Sequence, residues 1–157
     1  MKNNAQILVD LLIEKGLHIS FAESCTGGMA CARLVDVANA SKVLDASFVT
    51  YANEAKMQFV GVDPETLNAY GAVSEPVALQ MAKGAAKVSG AEVGVGISGI
   101  AGPGGGTAEK PVGTVCFGFF VNGRELALTK HFGSLGRTAV RQAAVETVYD
   151  TLLAELN

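Results

Sequence analysis

The sequence predicts an α/β fold: a three-layer α/β/α sandwich on a mixed sheet, with parallel strands first and an antiparallel edge hairpin last. Helix-like and strand-like runs alternate through the first two-thirds of the chain, as crossover-connected parallel strands require. Two apolar runs then flank Asn122-Gly123, the strongest short hairpin signal. With 157 residues, 49% hydrophobic and 17% charged, the chain reads as one domain over 1–157 with a sizeable core.

The elements follow in order. Ile7, Leu8, Leu11 and Leu12 put one apolar stripe on a helix over 5–15, and Gly16 stops it. Residues 17–22 read as a strand and 26–37 as a helix. The alternating, partly β-branched run 44–51 reads as another strand, followed by a short helix over 53–60. Asp63 as N-cap and Pro64 at the first helical position open a helix ending near Gly71. Ser74 and Glu75 open a longer one, which Gly90 stops. A buried strand over 92–100 leads into a glycine-rich loop, 101–110. The hairpin strands cover 112–121 and 124–132, and 136–156 is the last helix.

Charge and cysteine usage narrow the function classes. The net charge is −3, and no Lys/Arg cluster occurs, so nucleic-acid binding is not expected. Cys25, Cys31 and Cys116 are odd in number and lack metal-ligand spacing. A reducing, cytoplasmic compartment is the expectation, with no metal and no cofactor. The N-terminal segment reads as an amphipathic helix rather than a signal peptide, and no apolar run is long enough to span a membrane.

The most informative stretch is Phe21-Ala22-Glu23-Ser24-Cys25-Thr26-Gly27-Gly28. A serine at a strand-to-helix turn stands beside backbone N–H groups that have no internal partner. Such groups can hold a developing oxyanion, which suits a nucleophile. An ordinary N-cap uses the same residue types, and local sequence favours the cap. A second cluster, Tyr51-Ala52-Asn53-Glu54-Ala55-Lys56, places Tyr51 at a strand end and Lys56 one turn into a helix. If the two strands are neighbours, Ser24, Tyr51 and Lys56 share one crevice. A Ser-Lys pair is a known variant of the serine-base arrangement. It requires Lys56 to shed its proton well below the ordinary lysine range, through desolvation or nearby positive charge. The bland alternative is a solvated lysine beside Glu54.

Gly94-Val95-Gly96-Ile97-Ser98-Gly99 matches G-x-G-x-x-G, but the glycines lie inside a strand and open no helix. They read as room for a close neighbour. Ser98 falls near the strand's C-terminal end, the ligand side of a parallel sheet. The loop Gly102-Pro103-Gly104-Gly105-Gly106-Thr107 could cradle a ligand's polar groups or could simply be a surface loop. Arg137 at the start of the last helix suits a phosphate or carboxylate, or equally a solvated arginine, with Arg141 one turn further on.

Taken together, Ala22 to Gly28, Thr50 to Lys56, Gly99 to Gly105, Lys110-Pro111-Val112-Gly113-Thr114-Val115 and Arg137 to Gln142 resemble one family. It is the C-terminal domain of the competence/damage-inducible CinA proteins, which includes stand-alone nicotinamide-nucleotide amidases. The resemblance covers nearly the whole chain and, by length, points to the stand-alone form. It implies hydrolysis of nicotinamide mononucleotide to nicotinate mononucleotide and ammonia. Carried over, Ser24 matches the nucleophile, Lys56 the general base, Tyr51 an assisting and relaying tyrosine, and Arg137 a substrate-site arginine. Ser98 falls where relatives often carry threonine. Thr26, Gly27 and Gly28 would supply oxyanion N–H groups, and Gly102 and Gly104 would belong to the substrate site. A homo-oligomer is implied, with Phe117, Phe119, Phe120 and Val121 of the hairpin as an apolar interface. The chain departs from the family pattern in Leu135-Gly136 before Arg137, in Ala38 to Ser41 and in Asp45-Ala46-Ser47. A non-catalytic nucleotide-binding or protein-interaction module is the alternative, and another pyridine carboxamide is the alternative substrate.

Overall fold

The computed structural model describes residues 3–157. Five strands form one sheet: β1 Ile19–Glu23, β2 Phe48–Val49, β3 Val93–Gly99, β4 Thr114–Val121 and β5 Arg124–His131. Their order is β2-β1-β3-β4-β5. The β1 strand pairs parallel with β2 and β3, whereas β3–β4 and β4–β5 are antiparallel. The helices are α1 Asn4–Lys15, α2 Met29–Val35, α3 Asn53–Val60, α4 Pro64–Tyr70, α5 Glu75–Ser89 and α6 Arg137–Leu156.

Side chains alternate across the sheet, and the two faces bury two separate cores. Ile19 and Phe21 of β1, Val95 and Ile97 of β3, and Phe117 and Phe119 of β4 pack with Leu8, Leu12, Leu34, Val148 and Leu152 from α1, α2 and α6. On the opposite face Ala22 packs with Val60, Val62, Val77, Met81 and Ala85 from the α3–α5 side. These are the expected three layers with the expected edge hairpin. Asn122 and Gly123 both take positive φ, 48° and 92°, the requirement of a two-residue hairpin turn.

The glycines inside β3 serve close approach. A Cβ on Gly94 would lie 2.0 Å from the Ala82 carbonyl oxygen, and one on Gly96 would lie 2.0 Å from that of Ala78. The α5 helix rests directly on this part of the sheet, as the non-nucleotide reading of the motif requires.

Two elements differ from expectation. The strand expected over 44–51 pairs only at Phe48–Val49, with an isolated bridge between Leu44 and Ile19. Between them side chains replace the ladder: the Phe21 N–H donates to Ser47 Oγ, and Ser20 Oγ donates to the Ala46 carbonyl. The α2 helix starts at Met29 rather than Thr26 because Gly27 and Gly28 hold φ at 57° and 103°, outside the helical region. Two of the aromatic residues expected at an oligomer interface are placed otherwise. Phe117 and Phe119 are fully buried in this chain's own core under α1 and α6, whereas Phe120 is half-buried. No helix among the described residues is long and apolar enough to cross a membrane.

Candidate active site

The C-terminal ends of β1 and β3 and the start of α3 line an open cavity of about 220 Å³. Its lining includes Ser24, Tyr51, Asn53, Lys56, Ser98 and Arg137. Ser24 follows β1 directly, and its N–H continues the ladder to the Ile97 carbonyl at 3.0 Å. Ser98 stands on the neighbouring strand, on the α5 side of the sheet.

Lys56 defines the chemistry of the cavity. It is 1% exposed. Its Nζ lies 3.0 Å from the Thr50 carbonyl, 3.0 Å from the Tyr51 carbonyl and 3.3 Å from Ser24 Oγ. No carboxylate is paired with it among the described residues. Burial therefore pushes its pKa below the ordinary lysine value, against smaller opposing effects of Cys25 and Glu54. A neutral amine has two N–H donors and one lone pair. Protonated, the amine donates to all three oxygens; once neutral, its two N–H groups serve the carbonyls and its lone pair accepts the Ser24 hydroxyl proton when that hydroxyl turns from the Tyr51 carbonyl. That is the geometry of a general base against a nucleophile.

Tyr51 enters this contact through its backbone, not its ring. Its carbonyl accepts from Lys56, and from Ser24 Oγ at 3.4 Å. Its hydroxyl accepts from Arg137 Nη2 at 3.1 Å, and the residue is 60% exposed. Lys56 meets Ser24 directly, so the expected tyrosine relay has no gap to bridge. Arg137 also donates from Nη1 to the Gly102 carbonyl at 2.8 Å. The glycine loop thus offers the Gly102 carbonyl to the arginine. Gly104 lies exposed, and a Cβ there would meet nothing within 4 Å.

The expected oxyanion donors are partly occupied. The Gly27 N–H is bonded to the Ser24 carbonyl at 3.0 Å. Thr26 is fully buried, and its hydroxyl has no partner, so it is not the cap of α2. That cap is Glu23, which the sequence reading passed over. Its carboxylate is 1% exposed and accepts from the Ala30 N–H at 2.9 Å and the Cys31 N–H at 3.0 Å. A carboxylate at a helix N-terminus is stabilised there, and this one fills the place an oxyanion or phosphate would take. The legible signal was an acid at the end of an apolar strand, just before a helix with no capping side chain.

Cys25 is buried, and burial raises its thiol pKa to about 11. A thiol nucleophile adjacent to Ser24 is disfavoured on this ground.

The CinA C-terminal domain family model matches residues 1–156. The chain belongs to the CinA C-terminal domain family. It is 47% identical to a CinA-like protein of Kosmotoga olearia over 145 residues, 92% of this chain and 35% of that protein. It is 55% identical to a CinA-like protein of Chlorobaculum tepidum over 113 residues, 72% of this chain and 27% of that protein. The chain therefore spans about a third of the length of these curated relatives or less. Among solved structures it is similar to the competence/damage inducible protein CihA from Agrobacterium tumefaciens. There the TM-score is 0.89 at 45% identity, covering 98% of this chain and 96% of that one. In this CinA domain the family fold places Ser24 and Lys56 in one cavity.

Proposed function

We propose that this CinA domain is a serine amidohydrolase that converts nicotinamide mononucleotide to nicotinate mononucleotide and ammonia. The observation that carries the reading is the buried Lys56 amine, saturated by two carbonyls and facing Ser24 Oγ at 3.3 Å.

Ser24 Oγ attacks the carboxamide carbon while Lys56 takes its proton. The tetrahedral oxyanion collapses, Lys56 returns the proton to the departing nitrogen, and ammonia leaves. Water then attacks the ester on Ser24, losing its proton to Lys56. The acid is released, and the proton returns to Ser24. The pyridinium charge of the substrate withdraws electrons from the amide and favours the neutral form of Lys56.

The size and edges of the cavity fit this substrate. A volume of about 220 Å³ suits a pyridine ring with its carboxamide, leaving ribose and phosphate at the rim. Arg137 stands at that rim. It begins α6, which has no side-chain cap and no acidic residue in its first turn, so its free N–H groups suit an anion. Ser98 lines the cavity and offers a hydroxyl to the carboxamide.

The test is direct detection of the covalent intermediate. Acid quench during turnover, followed by intact-protein mass measurement, should show a nicotinate mononucleotide ester confined to Ser24. Steady deamidation with no such adduct, and no hydroxamate of the nucleotide formed on adding hydroxylamine, would favour direct attack by water. Tight nucleotide binding without turnover, unchanged in Lys56→Ala, would favour the non-catalytic module.

A further inference from the structure

We propose that Arg141 is the positioning residue of this site, clamping the nucleophile turn from behind so that its remaining free N–H groups stay aimed for the oxyanion. The inference rests on the amidase reading above.

Arg141 lies one turn after Arg137 on α6, yet its role differs. Its Nε donates to the Cys25 carbonyl at 2.8 Å, and its Nη2 donates to the Thr26 carbonyl at 3.1 Å. Two adjacent donors of one planar fork thus hold two successive peptides. No carboxylate pairs with Arg141 among the described residues, so its full charge rests on the turn.

The turn needs such a clamp. Gly27 and Gly28 both sit at positive φ, and glycines resist ordering more than any other residue. Neither Thr26 nor Gly28 caps α2 with a side chain.

The clamp also decides which donors remain. Between Ser24 and Cys31 most N–H groups are committed. That of Ser24 goes to Ile97, Gly27 to Ser24 and Met29 to Thr26. Those of Ala30 and Cys31 go to Glu23. Cys25, Thr26 and Gly28 are left, and of these Cys25 lines the cavity. In a trans peptide the C=O and N–H point in opposite directions. The Cys25 carbonyl and the Thr26 N–H share one peptide, so drawing that carbonyl toward α6 turns the Thr26 N–H to the opposite side, beside the nucleophile's own residue pair. A cation on that carbonyl also strengthens the Thr26 N–H as a donor.

The test uses Arg141→Ala and Arg141→Lys in the full chain, with nicotinamide mononucleotide as substrate. For Arg141→Ala, kcat should fall on the order of 10²-fold, the scale of losing oxyanion stabilisation, with KM within about threefold. Added guanidinium should restore part of that rate and leave Ser24→Ala inactive. Arg141→Lys keeps the charge without the fork and should fall in between. An unchanged kcat, or a loss confined to KM, in variants that melt like the wild type would overturn the inference and leave the amidase reading intact. A wild type that turns over no pyridine carboxamide would overturn both.

Discussion

Lys56 makes one ionisation readable in two independent experiments. In the folded protein burial lowers its pKa, while the unfolded chain keeps the ordinary value near 10.4. Between those two values the unfolded state binds more protons than the native state. Stability must therefore rise with pH across that window, by about 1.4 kcal/mol per pH unit for a single proton. Below the folded pKa both states hold the proton, and the contribution is constant at its least favourable. Lys56→Met removes the slope. It also strips the Thr50 carbonyl of its donor and leaves the Tyr51 carbonyl only Ser24 Oγ, an offset of about 1–3 kcal/mol that does not change with pH. Urea unfolding of both proteins between about pH 6 and pH 10 gives the difference in stability as a function of pH. That difference should climb with pH, and its onset should coincide with the midpoint of the acidic limb of kcat/KM. A flat difference, or an onset displaced from the kinetic limb, would refute the assignment of Lys56 as the neutral base.

Other perturbations read other parts of the structure. Gly96→Ala drives a Cβ to within 2.0 Å of the Ala78 carbonyl oxygen and should cost about 1–3 kcal/mol or more. Gly104→Ala, in open space, should stay within about 0.5 kcal/mol, and chemical denaturation compares the two. Glu23→Gln leaves one acceptor oxygen for the two N–H groups of Ala30 and Cys31. It should lose about 1–3 kcal/mol and most of the rate, seen by thermal melts and turnover together. Arg137→Ala should raise KM for nicotinamide mononucleotide by about 10- to 100-fold, a loss of about 1–3 kcal/mol for a charged contact. It should do so far less for the riboside, which lacks the phosphate, and steady-state kinetics on the two substrates decides it.

Much of the fold was legible because local chemistry and tertiary structure agree. Asp63 and Ser74 cap their helices as expected, accepting from the N–H groups of Glu65 and Val77. Gly16 and Gly90 stop helices in the left-handed conformation, and Asn122-Gly123 turns the hairpin. The misses share one cause, the replacement of local bonds by distant ones. Residues 45–47 leave the sheet because Ser47 and Ala46 answer β1 through side-chain bonds, which no alternation of polarity reveals. Thr26 and Ser24 looked like caps, but the cap of α2 arrives from Glu23 at the end of the preceding strand. Ser24 and Lys56 were legible as a pair only because Ser24 follows the end of one strand and Lys56 lies one turn into the helix that follows another. Their contact depends on β1 and β2 being neighbours, which the sequence could pose only as a condition. Arg141 carried no local signal, since its partners lie 115 and 116 positions away.

The central claim is that Ser24 attacks a carboxamide. Ammonia release from nicotinamide mononucleotide by purified protein, with EDTA present and Ser24→Ala beside it, tests that most directly. Steady release by the wild type is expected, with a fall of about 10³-fold or more in a variant that melts normally. Equal release by the two proteins, or none by a folded wild type, would contradict it.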